Sequence, residues 1–406
     1  MNILVISQYY YPESIGPSEI CESLNKMGNN VTVITGLPNY HYPNGKVSKN
    51  YKHFKNRKEN INGIDVQRTF TIGRRKGKKF LALNYLSFCI SANFKSLFLS
   101  NKYDVVICYQ LSPITMAIPA VKYAKRKKKK LLLYCLDLWP ESLKTVGISE
   151  KSRIYKTLYK ISKKIYNSCD RILVSSEFFK EYLKEIHNVD QKKIFYLPQY
   201  SKDYGEKIEH KLDDKIIKDN KVNFLFAGNI GKAQNIELII EALTKIDNLD
   251  NILIHIVGDG SNLENLKNEV KSKYLNNNVI FYGQVNKDDM YYFYDMADFC
   301  LLTLISDNSV GKTIPLKLQS YMSSGKPIIA SIDGESKKLI QMANCGICLK
   351  PNDVNELAKA ISDCANNVEK YKYLGENGRK YYLENFTLDK YMNRFLNNIN
   401  EMLGEM

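Results

Sequence analysis

Gly311-Lys312-Thr313-Ile314-Pro315-Leu316-Lys317-Leu318-Gln319-Ser320-Tyr321-Met322-Ser323-Ser324-Gly325-Lys326-Pro327-Ile328-Ile329-Ala330-Ser331 reads as loop, short helix, tight turn and buried strand. Pro315 suits the first helical turn, where its missing N–H costs nothing. The free N–H groups behind it would face an anion, and Lys312 and Lys317 add charge there. Gly325 and Pro327 stop the helix, and Ile328, Ile329 and Ala330 suit a parallel strand covered on both faces. By spacing alone the stretch fits equally well an ordinary helix-to-strand connection with solvated lysines.

Similar alternation runs outward in both directions. Ile3 to Ser7, Val31 to Thr35, Val105 to Tyr109, Leu131 to Leu136 and Arg171 to Ser175 are short apolar runs separated by helix-like stretches. Val222 to Ala227, Ile252 to Val257, Val279 to Tyr282, Phe299 to Thr303 and Pro327 to Ala330 repeat the scheme, with helices near Ile236 to Leu243, Asn262 to Tyr274 and Lys287 to Met296. Strands alternating with helices predict parallel sheets with helical crossovers. Gln199 to Lys221 is polar and charged, which places a hinge there. The expected division is residues 1–200 and 201–384, each a doubly wound α/β domain, with a helix over 385–406 that packs back toward the first.

Ligands of such sheets bind outside the carboxyl ends of the strands. Four loops there are unusual: Tyr10 to Glu19, Asp137 to Ser142, Gly228 to Asn235, and Gly258-Asp259-Gly260. Glycines directly after a strand let backbone approach a phosphate closely. Asp137 and Glu141 flank the chain's single Trp, Trp139; the bland alternative for the two acids is a helix cap and a first-turn acid.

The chain has 406 residues, 44% of them hydrophobic, and 59 Lys plus Arg against 43 Asp plus Glu, a net charge of +16. That excludes a disordered chain and predicts anionic partners. Charge alone does not choose among nucleic acid, phospholipid and a phosphorylated substrate, but no recognition helix or nucleic-acid module accompanies it. Basic residues cluster at Arg74, Arg75, Lys76, Lys78 and Lys79, just before Phe80 to Ser100. The uncharged stretch of that segment is too short to span about 30 Å of hydrocarbon. It fits either an interfacial helix lying on an anionic membrane or a core helix. The N-terminus reads as a strand rather than a signal peptide, and the nine cysteines sit mostly in apolar runs, which predicts a reducing cytoplasm. Cys345-Gly346-Ile347-Cys348 has redox or zinc spacing without a second pair or a neighbouring His.

Taken in order, five segments resemble the retaining glycosyltransferases of family 4, of GT-B fold, and within them the bacterial O-antigen, capsule and colanic-acid branch that includes the N-acetyl-L-fucosamine transferases. They are Ile3 to Glu22, Thr35-Gly36-Leu37-Pro38-Asn39-Tyr40 (T-G-x-P-N-Y), Asp137 to Ser142 (D-L-W-P-E-S), Phe226 to Gly231, and Ile314 to Tyr321. The resemblance implies two Rossmann-like domains facing a central cleft. It also implies a UDP-sugar donor on the second domain, an undecaprenyl-diphosphate-linked acceptor on the first, retention of configuration, and no metal or other cofactor. Most of the wider family carries two glutamates eight positions apart in the last motif; Lys312 and Ser320 stand at those places.

On this resemblance the donor contacts are Gly16, Gly228, Asn229, Gly231, Lys232, Gln234, Asn235, Gly258, Gly260, Val285, Ile314, Pro315, Lys317 and Ser320. The acceptor side is Glu13, Glu19, Asn39, Tyr40 and Trp139. Asp137 and Glu141 would orient or deprotonate the acceptor hydroxyl, and Lys317 would neutralise the diphosphate. The implied activity is transfer of an N-acetylated amino or deoxy sugar by a cytoplasmic enzyme attached peripherally to the inner face of the membrane. A different class of reading keeps the fold and loses the chemistry, leaving a non-catalytic nucleotide- or membrane-binding protein.

Overall fold

A computed structural model describes residues 1–40, 42–53, 55–205, 220–305 and 314–404. The chain forms two compact units, Met1–Leu197 with Met392–Met406, and Pro198–Tyr391.

In the first unit, strands β1 (Asn2–Ile6), β2 (Asn30–Thr35), β3 (Lys58–Ile61), β4 (Ile64–Arg68), β5 (Val105–Gln110), β6 (Lys130–Cys135), β7 (Arg171–Val174) and β8 (Ile194–Tyr196) make one sheet in the order β3-β4-β2-β1-β5-β6-β7-β8. All pairs are parallel except β3 with β4. Ile3 pairs with both Val31 and Val105, which puts the start of the chain at the centre of the sheet. Leu4, Ile6, Val106, Leu133 and Val174 point into one layer with Phe88, Tyr123, Tyr166 and Leu183 from the helices. The apolar runs are therefore continuous, as a sheet covered on both faces requires.

The hairpin β3–β4 goes beyond the strands read from the sequence. Its signal is Asn62-Gly63, with φ of 50° and 83°, the two-residue turn whose positive φ values match strand twist. Its strands carry Lys58, Glu59, Asp65 and Gln67 at a sheet edge, so no apolar run marks them.

In the second unit, β9 (Val222–Ala227), β10 (Ile252–Val257), β11 (Val279–Gly283), β12 (Phe299–Thr303), β13 (Ile328–Ser331) and β14 (Gly346–Leu349) form an all-parallel sheet in the order β11-β10-β9-β12-β13-β14. Cys345 and Cys348 flank and occupy β14. Cys345 is buried and Cys348 half-buried, and burial pushes their thiols up to about 12 and about 11. Thiols held that far from the thiolate are poor nucleophiles and metal ligands, and no group of three or more potential metal ligands occurs among the described residues.

The units divide between residues 197 and 198, and the chain rejoins the first unit at Met392 rather than at 385. Side chains near the end of the preceding helix explain the later return. Arg379 Nη2 donates to Asp203 Oδ2 at 2.9 Å, the Tyr382 hydroxyl donates to the Ser201 carbonyl at 2.9 Å, and Phe386 is buried in the second core. Beyond Met392 the ring of Phe395 meets Tyr134 of β6 edge-on at 6.3 Å, and Arg171 donates to Glu401 at 2.7 Å.

Candidate active site

In the second unit the helix Leu316–Ser323 begins after Pro315, which is the extended residue just before the first turn rather than within it. Lys317 then projects back toward the end of β9. Its Nζ lies 3.7 Å from the Phe226 ring centroid, is shielded from solvent, and has no hydrogen-bond partner among the described residues. Burial lowers its pKa from 10.5 to about 7. A buried amine without a counter-ion is costly, and an anion supplied by a ligand would offset that cost. Lys312 lies outside the described residues.

The glycines after β9 and β10 divide into two kinds. At Gly228 (φ 138°) a β-carbon would sit 3.0 Å from Lys317 Nζ, so the missing side chain makes the slot the lysine fills. At Gly258 a β-carbon would lie 1.8 Å from the Gly228 carbonyl oxygen, and at Gly260 it would lie 2.2 Å from the Ile230 carbonyl oxygen. Packing of one loop on the other accounts for these two, so a phosphate is not needed to explain them.

Within Gly228 to Asn235, Gln234 Oε1 accepts from Asn229 Nδ2 and from the Gly231 N–H, both at 3.1 Å. The Thr303 hydroxyl donates to the Gln234 carbonyl at 2.6 Å, which ties this turn to β12, and Asn235 donates to Asn352 at 2.8 Å. Lys232 is exposed, Val285 is half-buried beyond the end of β11, and Ile314 is half-buried against the second core. Ser320, at the position of the second family glutamate, shares a 2.9 Å hydrogen bond with Ser201.

In the first unit three of the expected acceptor residues, Glu13, Asn39 and Tyr40, are brought together, and they serve as brackets. Glu13 is buried and accepts from the N–H groups of Asn39 (2.6 Å) and Tyr40 (2.5 Å), joining the loops after β1 and β2; burial raises its pKa. Asn39 Oδ1 accepts from the Arg74 N–H and from Asn84 Nδ2, both at 3.1 Å. Gly16 packs against the Tyr9 carbonyl, and Glu19 is exposed in the first turn of the helix Ser18–Lys26.

Asp137 follows β6 and is half-buried. One carboxylate oxygen accepts from the Ser112 hydroxyl and from Trp139 Nε1 at 2.9 Å; the other accepts from the Ser142 hydroxyl. Trp139 is 6% exposed and lies in the first core, so its ring is turned inward and is not offered to an acceptor. The Glu141 carboxylate accepts from Lys144 Nζ at 2.6 Å and from the hydroxyls of Tyr155 and Tyr182 at 3.2 and 3.3 Å. Three donors occupy Glu141, which leaves it poorly placed to take a proton.

Arg74 departs from the lipid-facing role read for its basic cluster. Arg75, Lys76, Lys78 and Lys79 are exposed, whereas Arg74 is half-buried and donates from Nη1 to the Tyr9 hydroxyl at 3.2 Å. Its guanidinium stands over the rings of Tyr40 at 4.9 Å and Tyr85 at 5.8 Å. Sequence reasoning missed Tyr9, Tyr85 and Ser112, and it read Arg74 only as one of a basic cluster and Ser142 only as the end of a loop. No local signal marks Tyr9, Tyr85 and Ser112, because their partners lie in segments distant along the chain.

Following the basic cluster, the helix Lys78–Leu97 serves two environments. Asn84, Phe88, Ala92 and Ser96, spaced by four, are buried against the first unit. Leu86, Ile90, Phe94, Leu97 and Phe98 form another stripe that is exposed, Ile90 by 68% and Phe98 by 73%. No described helix is long and apolar enough to cross a membrane.

Comparison with known proteins gives a consistent result for both units. The model of glycosyltransferase family 4 matches residues 18–199, and that of glycosyl transferases group 1 matches residues 207–381. An uncharacterized glycosyltransferase of Methanocaldococcus jannaschii is 31% identical over 236 residues, 57% of this chain and 58% of its own length, so the chain covers under two thirds of that relative. The putative colanic acid biosynthesis glycosyl transferase WcaI of Escherichia coli is 22% identical over 382 residues, 89% of this chain and 91% of its own. The Anabaena HepE structure in complex with UDP superposes with a TM-score of 0.73 at 14% identity, over 99% of this chain and 100% of that one, which shows the GT-B fold.

Proposed function

We propose that the chain is a family 4 glycosyltransferase, a reading supported by the family models that match residues 18–199 and 207–381, and that it moves a sugar from a UDP-sugar to a lipid-diphosphate-linked saccharide, with retention of configuration, in surface-polysaccharide synthesis. The sugar is an N-acetylated amino or deoxy hexose, and the acceptor lipid is undecaprenyl. The observation that carries this reading is Lys317, a buried amine without a partner among the described residues, held beside a glycine loop. Similarity to WcaI and to a UDP-bound GT-B enzyme supports it.

When the donor's glycosidic bond breaks, negative charge grows on the diphosphate. Lys317, the exposed Lys232 and the first turn of the helix Leu316–Ser323 would stabilise it, a preorganised electrostatic effect. Protein cations then do the work for which other glycosyltransferases use a metal ion. Asp137 orients the acceptor hydroxyl through the Ser112 and Ser142 hydroxyls that it holds. The exposed stripe Leu86, Ile90, Phe94 and Phe98, next to Lys76, Lys78 and Lys79, attaches the first unit to the inner face of an anionic membrane.

The test is release of UDP from a panel of UDP-sugars during incubation with bacterial membranes, which should occur with one donor and require the membranes. A second reading, a non-catalytic nucleotide binder, is favoured by one observation: Ser320, in place of a ribose-binding glutamate, is bonded to Ser201. Tight UDP binding without UDP release from any donor would select it.

A further inference from the structure

We propose that Arg74, framed by Tyr9, Tyr40 and Tyr85, binds the diphosphate of the acceptor on the first unit. The inference rests on the lipid-diphosphate acceptor of the proposed function and names the residue that recognises it.

Three features separate Arg74 from the surface cations around it. First, its backbone is fixed: its N–H donates to Asn39 Oδ1 at 3.1 Å, and Gly45 approaches so closely that a β-carbon there would lie 1.8 Å from the Arg74 carbonyl oxygen. Second, its side chain is fixed by the Tyr9 hydroxyl and by the two rings beneath the guanidinium, while Tyr9 and Tyr40 meet edge-on at 5.4 Å. Third, its charge has no carboxylate within 4.0 Å among the described residues. The nearby acid, Glu13, is spent on the N–H groups of Asn39 and Tyr40. Arg68, another arginine withdrawn from solvent in this unit, is paired with Glu59 at 2.7 Å. Cation–π contact offsets part of the desolvation of Arg74, but among the described residues its guanidinium makes a single hydrogen bond. The planar fork therefore retains donors for two oxygens of a phosphate, the pairing for which arginine is better shaped than lysine.

Its position favours the acceptor over a bulk headgroup. Tyr9 and Tyr40 stand after β1 and β2, at the carboxyl edge of the sheet where ligands bind. The charge of Asp137 acts on Tyr85, so the frame and the proposed hydroxyl-orienting acid share one neighbourhood. Tyr85 belongs to the helix whose next residue, Leu86, starts the exposed apolar stripe. One helix thus offers hydrocarbon contact on one side and an arginine frame on the adjacent side, matching a lipid tail and the diphosphate that ends it. Headgroups of the bilayer itself would meet the exposed Arg75, Lys76, Lys78 and Lys79.

To test this, the full chain is saturated with UDP, to fill the donor site, and titrated with geranyl diphosphate by calorimetry. Arg74→Gln should weaken binding at least tenfold and Arg74→Lys severalfold, with geraniol affected equally little in all forms. Co-sedimentation with phosphatidylglycerol/phosphatidylcholine vesicles should be unchanged by either substitution. Equal affinity of the wild type and Arg74→Lys for geranyl diphosphate would overturn the assignment even if the Gln variant failed to fold. So would a loss confined to vesicle binding, which would make Arg74 a headgroup contact. The UDP-release assay is independent: diphosphate binding through Arg74 in a protein that releases no UDP would leave this site standing and remove the proposed function.

Discussion

Gly228 and Lys317 share one slot: a β-carbon on the first would stand 2.9 Å from the second's Cε and 3.0 Å from its Nζ. The glycine after β9 and the lysine in the first turn of the helix Leu316–Ser323 are therefore coupled, although 88 residues of sequence lie between them. Gly228→Ala should push the amine aside and strain a backbone at φ 138°. Donor KM should rise by an order of magnitude or more, with the two-unit fold retained by circular dichroism; unchanged donor kinetics would uncouple the pair.

Lys317→Ala should lower turnover at saturating donor by roughly 10²- to 10³-fold, the loss of about 2 to 4 kcal/mol expected for one transition-state contact to the leaving group. Melting temperature should hold or rise, because the variant removes a buried amine without a partner among the described residues. Normal turnover in this variant would make Lys317 a structural lysine.

A pH profile follows from the lowering of Lys317 to about 7 by burial. Below pH 7 the amine is charged in free and donor-bound protein, so UDP affinity is level. Above it, binding an anion must draw a proton from solvent, and affinity should fall by up to tenfold per pH unit. Stability has the opposite slope. Between pH 7 and 10.5 the unfolded chain holds a proton that the folded protein has shed, so this residue makes stability rise with pH across that window. Lys317→Met should flatten both profiles, as read by calorimetry with UDP and by thermal melting.

Asp137→Asn replaces an acceptor-only carboxylate by an amide that must turn its NH2 toward one of three donors: Ser112, Ser142 or Trp139. We expect transfer to acceptor to fall at least tenfold while UDP affinity stays within twofold, with a lower melting temperature. Ser142→Ala should reproduce part of the loss in transfer. Collapse of UDP affinity in Asp137→Asn would move this residue to the donor side.

For the exposed stripe, Ile90→Glu with Phe94→Glu should release the protein from anionic vesicles without lowering its melting temperature, because both positions face solvent. Wild-type sedimentation should weaken as salt is raised, since screening shortens the attraction of Lys76, Lys78 and Lys79. Sedimentation that ignores both the substitutions and the salt would assign attachment to another surface.

Much of the fold was legible because its strands are covered on both faces: Ile3 to Ile6, Val222 to Ala227 and Ile328 to Ala330 announce themselves as apolar runs. Strands at or near a sheet edge are less uniform: Val279 to Tyr282 is legible at one edge, whereas others carry no such mark. The hairpin β3–β4 shows only its Asn62-Gly63 turn, and β14 lay hidden beneath a cysteine spacing that suggests redox chemistry. Of the residues expected at the site, Gly228 and Lys317 could be singled out because a strand end and a helix start are local signals, whereas the packing that accounts for Gly258 and Gly260 is not.

What the sequence determined by itself, then, is the repeated strand–helix alternation and the loops that follow its strands. These follow from hydrophobic period and turn residues, which are properties of neighbours along the chain. Tertiary structure decided what each polar group is free to do. Glu13 and Glu141 are occupied by donors, Trp139 turns into the core, and Arg74 leaves its basic neighbours for three tyrosines at positions 9, 40 and 85. Whether a charge is paired depends on which distant loops the sheet brings together, and a sheet that places residue 3 between residues 31 and 105 makes those partners invisible to any local reading.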